Sequence, residues 1–142
     1  MRWSVPARDI YHEIVKRALI KDGWTITHDP FTIAFGLRRV YADLGARKFV
    51  AAEKADRKIA VEVKSFVGAS TMTELERAIG QYSIYKSWLA RIEPERMLYL
   101  AIDETAFNYL FLDVSGQVLL EDYGIKLIVV AGANEEIVRW IN

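Results

Sequence analysis

Apolar and polar positions alternate along this chain with two different periods, and the switches between them mark its elements. Residues 6–24 place Ile10, Ile14, Val15, Ala18 and Leu19 on one stripe of a 3.6-residue period, which predicts a helix. Pro6 suits its first turn and Gly23 its stop. "WTITH" at 24–28 alternates with period two and predicts a strand, which Asp29-Pro30 breaks and "FTIAF" at 31–35 resumes. "VYADLG" at 40–45 and "KFVAAEK" at 48–54 follow, with Gly45 between them. "ADRK" at 55–58 predicts a turn with its tip near Asp56, and "IAVEVKSF" at 59–66 is the returning strand. Residues 71–92 predict a long amphipathic helix, with Met72, Leu75, Ile79, Tyr82 and Leu89 toward the core. "ERMLYLAI" predicts a strand, 104–114 and 115–124 short helices, and "IKLIVVA" a last strand, before "EEIVRWIN" closes the chain. The strand–helix–strand order of the second half requires a parallel crossover. The expectation is an α/β fold, a mixed sheet with helices packed on it, in one domain spanning residues 1–142.

The strand at 59–66 holds the informative anomaly. Side chains on a strand alternate faces, so Ile59, Val61 and Val63 point one way and Ala60, Glu62 and Lys64 the other. A solvated hairpin explains a Glu and a Lys sharing a face. So does a catalytic strand that holds a metal.

Composition narrows the classes. With 142 residues, 52% of them apolar, the chain is long enough to bury a core and too apolar for disorder. Cysteine is absent, which rules out thiolate metal sites and suits a reducing cytoplasm. No apolar run is long enough to span a membrane, and the first residues lack the apolar region of a signal peptide. Nineteen basic and nineteen acidic residues cancel, but unevenly. Residues 38–58 hold seven Arg or Lys against three acids, a net of +4, and residues 93–122 one Arg against seven acids, a net of −6. The basic segment keeps a polyanionic partner open.

An acid-x-Lys triplet is common by chance, and "DRK" at 56–58 matches as well as Glu62-x-Lys64. Context separates them, because Asp43 lies one predicted strand before Glu62. Asp43 reads either as a turn residue before Gly45 or as a second carboxylate meeting Glu62. Two carboxylates 4 Å apart repel by about 1 kcal/mol in water and about 4 kcal/mol at an effective dielectric near 20. A shared proton or a cation relieves this, and oxygen-only ligation favours Mg2+ or Mn2+ over Zn2+. Such a metal polarises a phosphodiester, and Lys64 beside it would orient water or neutralise the phosphate. Glu13, on the first helix, is a candidate further metal carboxylate or a solvated position. Gln81 and Tyr85 are four apart on one face of the long helix and either decorate its edge or support the site. His12 and His28 have no metal-ligand spacing and read as surface or cap residues. Glu53 reads as a cross-strand partner of Lys58 or Lys64. No phosphate-cradling glycine loop occurs, and the scattered tryptophans favour packing over base stacking.

Glu13, Asp43, Glu62-x-Lys64 and Gln81 occur in the order helix, strand, strand, helix, which resembles the PD-(D/E)xK nuclease superfamily. Glu13 resembles the first-helix glutamate of its Holliday-junction-resolvase branch. "QYSIY" at 81–85 resembles the QxxxY motif of its RecB-like branch. The chain departs at the first motif, having "YADLG" where a proline-aspartate is usual. A longer match, through "PARDIYHEIVKRALIKDGWTITHDP", "YADLGA", "IAVEVKSF", "AIGQY", "EPERMLYLAI" and "IVRWIN", resembles the XisH family of fdxN element excision controlling factors. The resemblance implies a restriction-endonuclease-like fold with an αβββαβ core. It implies a part in the programmed excision of a DNA element during heterocyst differentiation, beside a site-specific recombinase and a small XisI-type companion protein. It also implies a Mg2+- or Mn2+-dependent DNA endonuclease, with Asp43, Glu62 and Glu13 on the metal, or else a catalytically silent module that recruits DNA or a partner. Nucleases of this fold often pair subunits, so a homodimer is one expected state.

Overall fold

A computed structural model describes residues 7–53, 55–66 and 70–142, so Pro6 and Trp3 lie outside the described residues. Helix α1 (Ala7–Lys21) ends as the glycine signal requires. Gly23 has φ +95°, its amide donates to the Ile20 carbonyl at 3.0 Å, and the Trp24 amide donates back to Leu19 at 3.0 Å. This paired closure satisfies carbonyls that a helix end otherwise leaves open. Val15, Ala18 and Leu19 of the expected stripe are buried, whereas Ile10 faces solvent.

Strands β1 (Thr25–His28), β2 (Phe31–Phe35), β3 (Arg38–Ala42), β4 (Leu44–Val50) and β5 (Ala55–Lys64) follow. They do not form one meander. β2 and β3 pair as a separate two-stranded sheet, and β1 pairs with β4. The segment read as "VYADLG" therefore divides at Asp43, between one sheet and the other. Gly45 is not a divider but part of β4, where a Cβ would come within 2.9 Å of Phe31 and 3.0 Å of His28. The hairpin tip also differs from the expectation. Asp56 pairs with Phe49 inside the ladder, and the turn lies at residues 51–53. Asp56 is held there by Arg47 at 3.5 Å, and tertiary pairing overrides its turn preference.

Helix α2 (Thr71–Ile92) matches the predicted span, starting at Ser70, whose hydroxyl accepts the Thr73 amide at 3.3 Å. Leu75, Tyr82 and Leu89 are buried, but Met72 is 57% exposed in the first turn. Strand β6 (Arg96–Asp103), helices α3 (Glu104–Phe111) and α4 (Val114–Asp122), and strands β7 (Leu127–Ala131) and β8 (Glu136–Ile141) complete the chain. The closing segment, unassigned from sequence, is thus a strand.

The main sheet has the order β1-β4-β5-β6-β7-β8. β5–β6 and β6–β7 are parallel and the other pairs antiparallel, with register shifts near His28 in β1 and between Val129 and Val130 in β7 opposite β8. One core lies between the sheet and α1, and takes Ile59, Val61 and Val63 of β5. The other lies under α2, α3 and the β2–β3 hairpin, and takes Ala60. The predicted faces of β5 are those observed. Among the described residues, no helix is long and apolar enough to cross a membrane.

Tyr82 ties α2 to the parallel strands. Its hydroxyl donates to the Leu98 carbonyl at 2.8 Å and accepts from the Lys126 amide at 3.0 Å. Burial raises its pKa to about 12. Tyr82→Phe leaves the Lys126 amide and Leu98 carbonyl without this partner and is expected to cost about 1–3 kcal/mol in urea unfolding. Because the folded-state pKa is raised above 10, the proton's contribution is complete below pH 10 and is lost as pH rises toward about 12. The stability gap between wild type and Tyr82→Phe should therefore narrow across that window, and a constant gap would contradict the assignment.

Candidate active site

The site is built where the two sheets part. Asp43 has no strand partner of its own. Its Oδ2 accepts the Val63 amide at 2.7 Å, beyond the last β4–β5 pair, Leu44 with Val61. The carboxylate thus extends the ladder by one hydrogen bond and lies against the C-terminal end of β5. Parallel strands open toward a ligand at this end. Glu62 is 5% exposed, on the face of β5 that looks toward α2.

Asp43, Glu62 and Lys64 line one cleft of about 610 Å³. Its far wall is α2, which contributes Glu74, Arg77, Gln81 and Tyr85. Its outer wall is β3, which contributes Arg39, Val40 and Tyr41. Gln81 Nε2 donates to the Tyr85 hydroxyl at 2.9 Å, so the i, i+4 pair seen in the sequence is a real contact. Three acids (Asp43, Glu62, Glu74) and three bases (Arg39, Lys64, Arg77) surround the same space. Acids suit a cation and bases suit phosphate oxygens, so this is a two-signed surface fit for a metal and a phosphodiester together.

Of the five residues singled out from sequence, four share the cleft. Glu13 does not line it. Its side chain is 53% exposed beside Arg17, 3.9 Å away. The neighbouring helical position, His12, about 100° around the helix from Glu13, is the one that approaches Asp43 among the described residues. His12 Nδ1 stands 3.6 Å from Asp43 Oδ1 and its Nε2 2.8 Å from Asp29 Oδ1. Lys16 Nζ donates to Asp29 Oδ2 at 2.8 Å. Partial burial pushes the Asp29 carboxyl up, but the Lys16 hydrogen bond and His12 outweigh it and hold the group below its ordinary value. Lys16 is raised in turn by that hydrogen bond and the Asp29 charge.

His12 was read as a surface or cap residue, and it is instead a link from Asp43 to Asp29. Its i, i+4 relation to Lys16 was the available signal. Glu74 was missed as well. It sits two helical turns before Gln81 on the same face, and among the described residues its Oε2 is buried without a hydrogen-bond partner. Glu53 pairs with Arg57 rather than with Lys58 or Lys64. Among the described residues, no three His, Asp or Glu side chains converge as a metal-ligating set. Two carboxylates with open water positions are nevertheless an ordinary Mg2+ donor set.

The model of the XisH protein family matches residues 5–138. Among solved structures, an fdxN element excision controlling factor protein from Anabaena variabilis is 38% identical with a TM-score of 0.87, over 95% of this chain and 100% of that one. An XisH family protein from Nostoc punctiforme is 38% identical with a TM-score of 0.84, over 94% of this chain and 100% of that one. No curated protein matches the chain.

Asp43 has a structural duty that a simple deletion would confound. Asp43→Ala strips the Val63 amide of its acceptor and is expected to cost about 1–3 kcal/mol, while Asp43→Asn retains a side-chain oxygen and most of the stability. Paired denaturation curves check this. Equal losses in the two variants would show that the hydrogen bond contributes nothing.

Proposed function

Because this chain belongs to the XisH family, we propose that it acts in DNA-element excision as a metal-dependent endodeoxyribonuclease of the PD-(D/E)xK type, on a restriction-endonuclease-like fold. The observation that carries this reading is the meeting of Asp43, Glu62, Lys64 and Gln81 in one cleft from three separate stretches of sequence. Asp43 and Glu62 would hold Mg2+ or Mn2+, whose chemistry is Lewis-acid activation of the phosphodiester. Asp43 Oδ2 accepts the Val63 amide and Oδ1 lies 3.6 Å from His12 Nδ1, so the carboxylate is held in place from two sides. Lys64 lies beside Glu62 at the strand end and is placed to orient the attacking water or to neutralise charge gathering on the phosphate. The water's oxygen bonds to phosphorus as the bond to the leaving oxygen breaks, and that oxygen departs with a proton. Gln81 is a positioning residue, fixed by Tyr85. Glu74, rather than Glu13, is the further acid facing this space. DNA is the substrate, and a site-specific recombinase and an XisI-type companion are the expected partners.

A second reading has its own support. The lack of a three-ligand metal cluster among the described residues suits a catalytically silent module that recruits DNA or a partner to the recombinase.

Calorimetric titration with Mn2+ separates the two. The wild type is expected to bind, and Asp43→Asn and Glu62→Gln to lose binding. Lys64→Ala should still bind Mn2+ yet cut plasmid or junction DNA about 100-fold more slowly. A wild type that binds no Mn2+ would remove the nuclease reading and leave the recruiting one.

A further inference from the structure

The β2–β3 hairpin stands apart from the main sheet, and its two faces are unlike. Phe31, Ile33 and Ala42 are buried on the inner face against α2, where Phe35 also stacks on Trp88 at 6.4 Å. Residues paired across an antiparallel ladder share a face, so Thr32 with Tyr41 and Ala34 with Arg39 form the outer face. That face has two small residues on β2 and a guanidinium and a phenol on β3. The turn between the strands holds Gly36, at φ +59°, and Leu37, which is 106% exposed. Arg38 follows directly.

Alternate positions then run from the turn to the site. Leu37, Arg39, Tyr41 and Asp43 succeed one another, with Arg39 and Tyr41 already lining the cleft. Among the described residues, no acid lies within ion-pair distance of Arg38, Arg39 or Arg77, whereas Arg17, Arg47, Arg57 and Arg96 each have one, and the other two without one, Arg91 and Arg139, are engaged by Ser87 and by the Phe107 ring. Guanidinium groups left without a protein counter-charge on an open face are suited to phosphate. An apolar side chain wholly in solvent, at a turn between glycine and two arginines, is the kind of wedge that enters a DNA groove.

We infer that the β2–β3 hairpin is a contact arm for duplex DNA, with Arg39 and Tyr41 of its outer face on the phosphate backbone and Leu37 at its tip reaching the base edges. This rests on reading the cleft as a DNA site. Strand rise puts Arg39 roughly 13 Å along the chain from Asp43, on the order of four base steps. The arm therefore holds the duplex to one side of the scissile phosphate.

The test is fluorescence anisotropy with a labelled duplex in EDTA, across a salt series, for the full chain. Arg39→Ala is expected to bind severalfold more weakly, whereas Arg38→Ala, at a position that pairs with Phe35 on the other face, should bind much as the wild type does. The log–log salt slope of Arg39→Ala should shrink by about 1, since each phosphate contact contributes about 0.9. Leu37→Ser should weaken binding severalfold with the slope unchanged, because it removes no charge. A wild type that does not bind the duplex, or an Arg39→Ala variant of unchanged affinity and slope, would overturn the inference. Mn2+ titration of the same preparations keeps the readings distinct, because the variants retain Asp43 and Glu62. Hairpin-dependent duplex binding without Mn2+ binding would sink the nuclease reading and leave the arm standing. Mn2+ binding with a hairpin-independent duplex would do the reverse.

Discussion

The hydrogen bond from the Val63 amide to Asp43 is the constraint on which the site depends. A chain that leaves a two-stranded sheet and enters a six-stranded one must break its ladder somewhere. Backbone groups exposed by the break need partners if they lie away from water. Here the break falls on an aspartate, and its carboxylate takes over the missing acceptor's place. One oxygen closes the ladder and the other lies 3.6 Å from His12 Nδ1. The direction of this side chain is therefore set by main chain at one oxygen and by His12 at the other.

The second constraint is the two-sided burial of β5. Its inner residues meet α1 on one face and α2 on the other, so any charge it carries is drawn out of water. Glu62 is among only two buried charged residues described, the other being Arg96. A carboxylate in such a place costs free energy unless opposite charge or hydrogen bonds offset it. The arginines, Lys64 and Gln81 of the cleft supply a polar wall on that side, and the apolar face of β5 is left to α1.

Much of this was legible in the alternation of residues. The period-two pattern of 59–66 separated Ile59, Val61 and Val63 from Glu62 and Lys64, and the helical period of 71–92 found α2 to the residue. Local periodicity reports which face a side chain takes, but not where a sheet divides. Hence Asp43 was a candidate without its corner, Gly45 looked like punctuation, and the hairpin tip was set too late along the chain. The helical candidate Glu13 lies outside the cleft and its neighbour His12 approaches Asp43, because α1's apolar stripe does not say which flank turns toward the strand end. Glu74 was concealed by its place in a first turn, where an acid needs no explanation beyond the helix dipole.

The register shifts at the two ends of the sheet have a consequence of another kind. β1 has four residues with an irregularity before His28, and β8 pairs with β7 across a second one. A bulge twists a strand margin and interrupts the even row of amide and carbonyl groups. An incoming strand would find only a few regularly spaced groups at either margin. The sheet, apolar as its centre is, makes a poor template for cross-β growth.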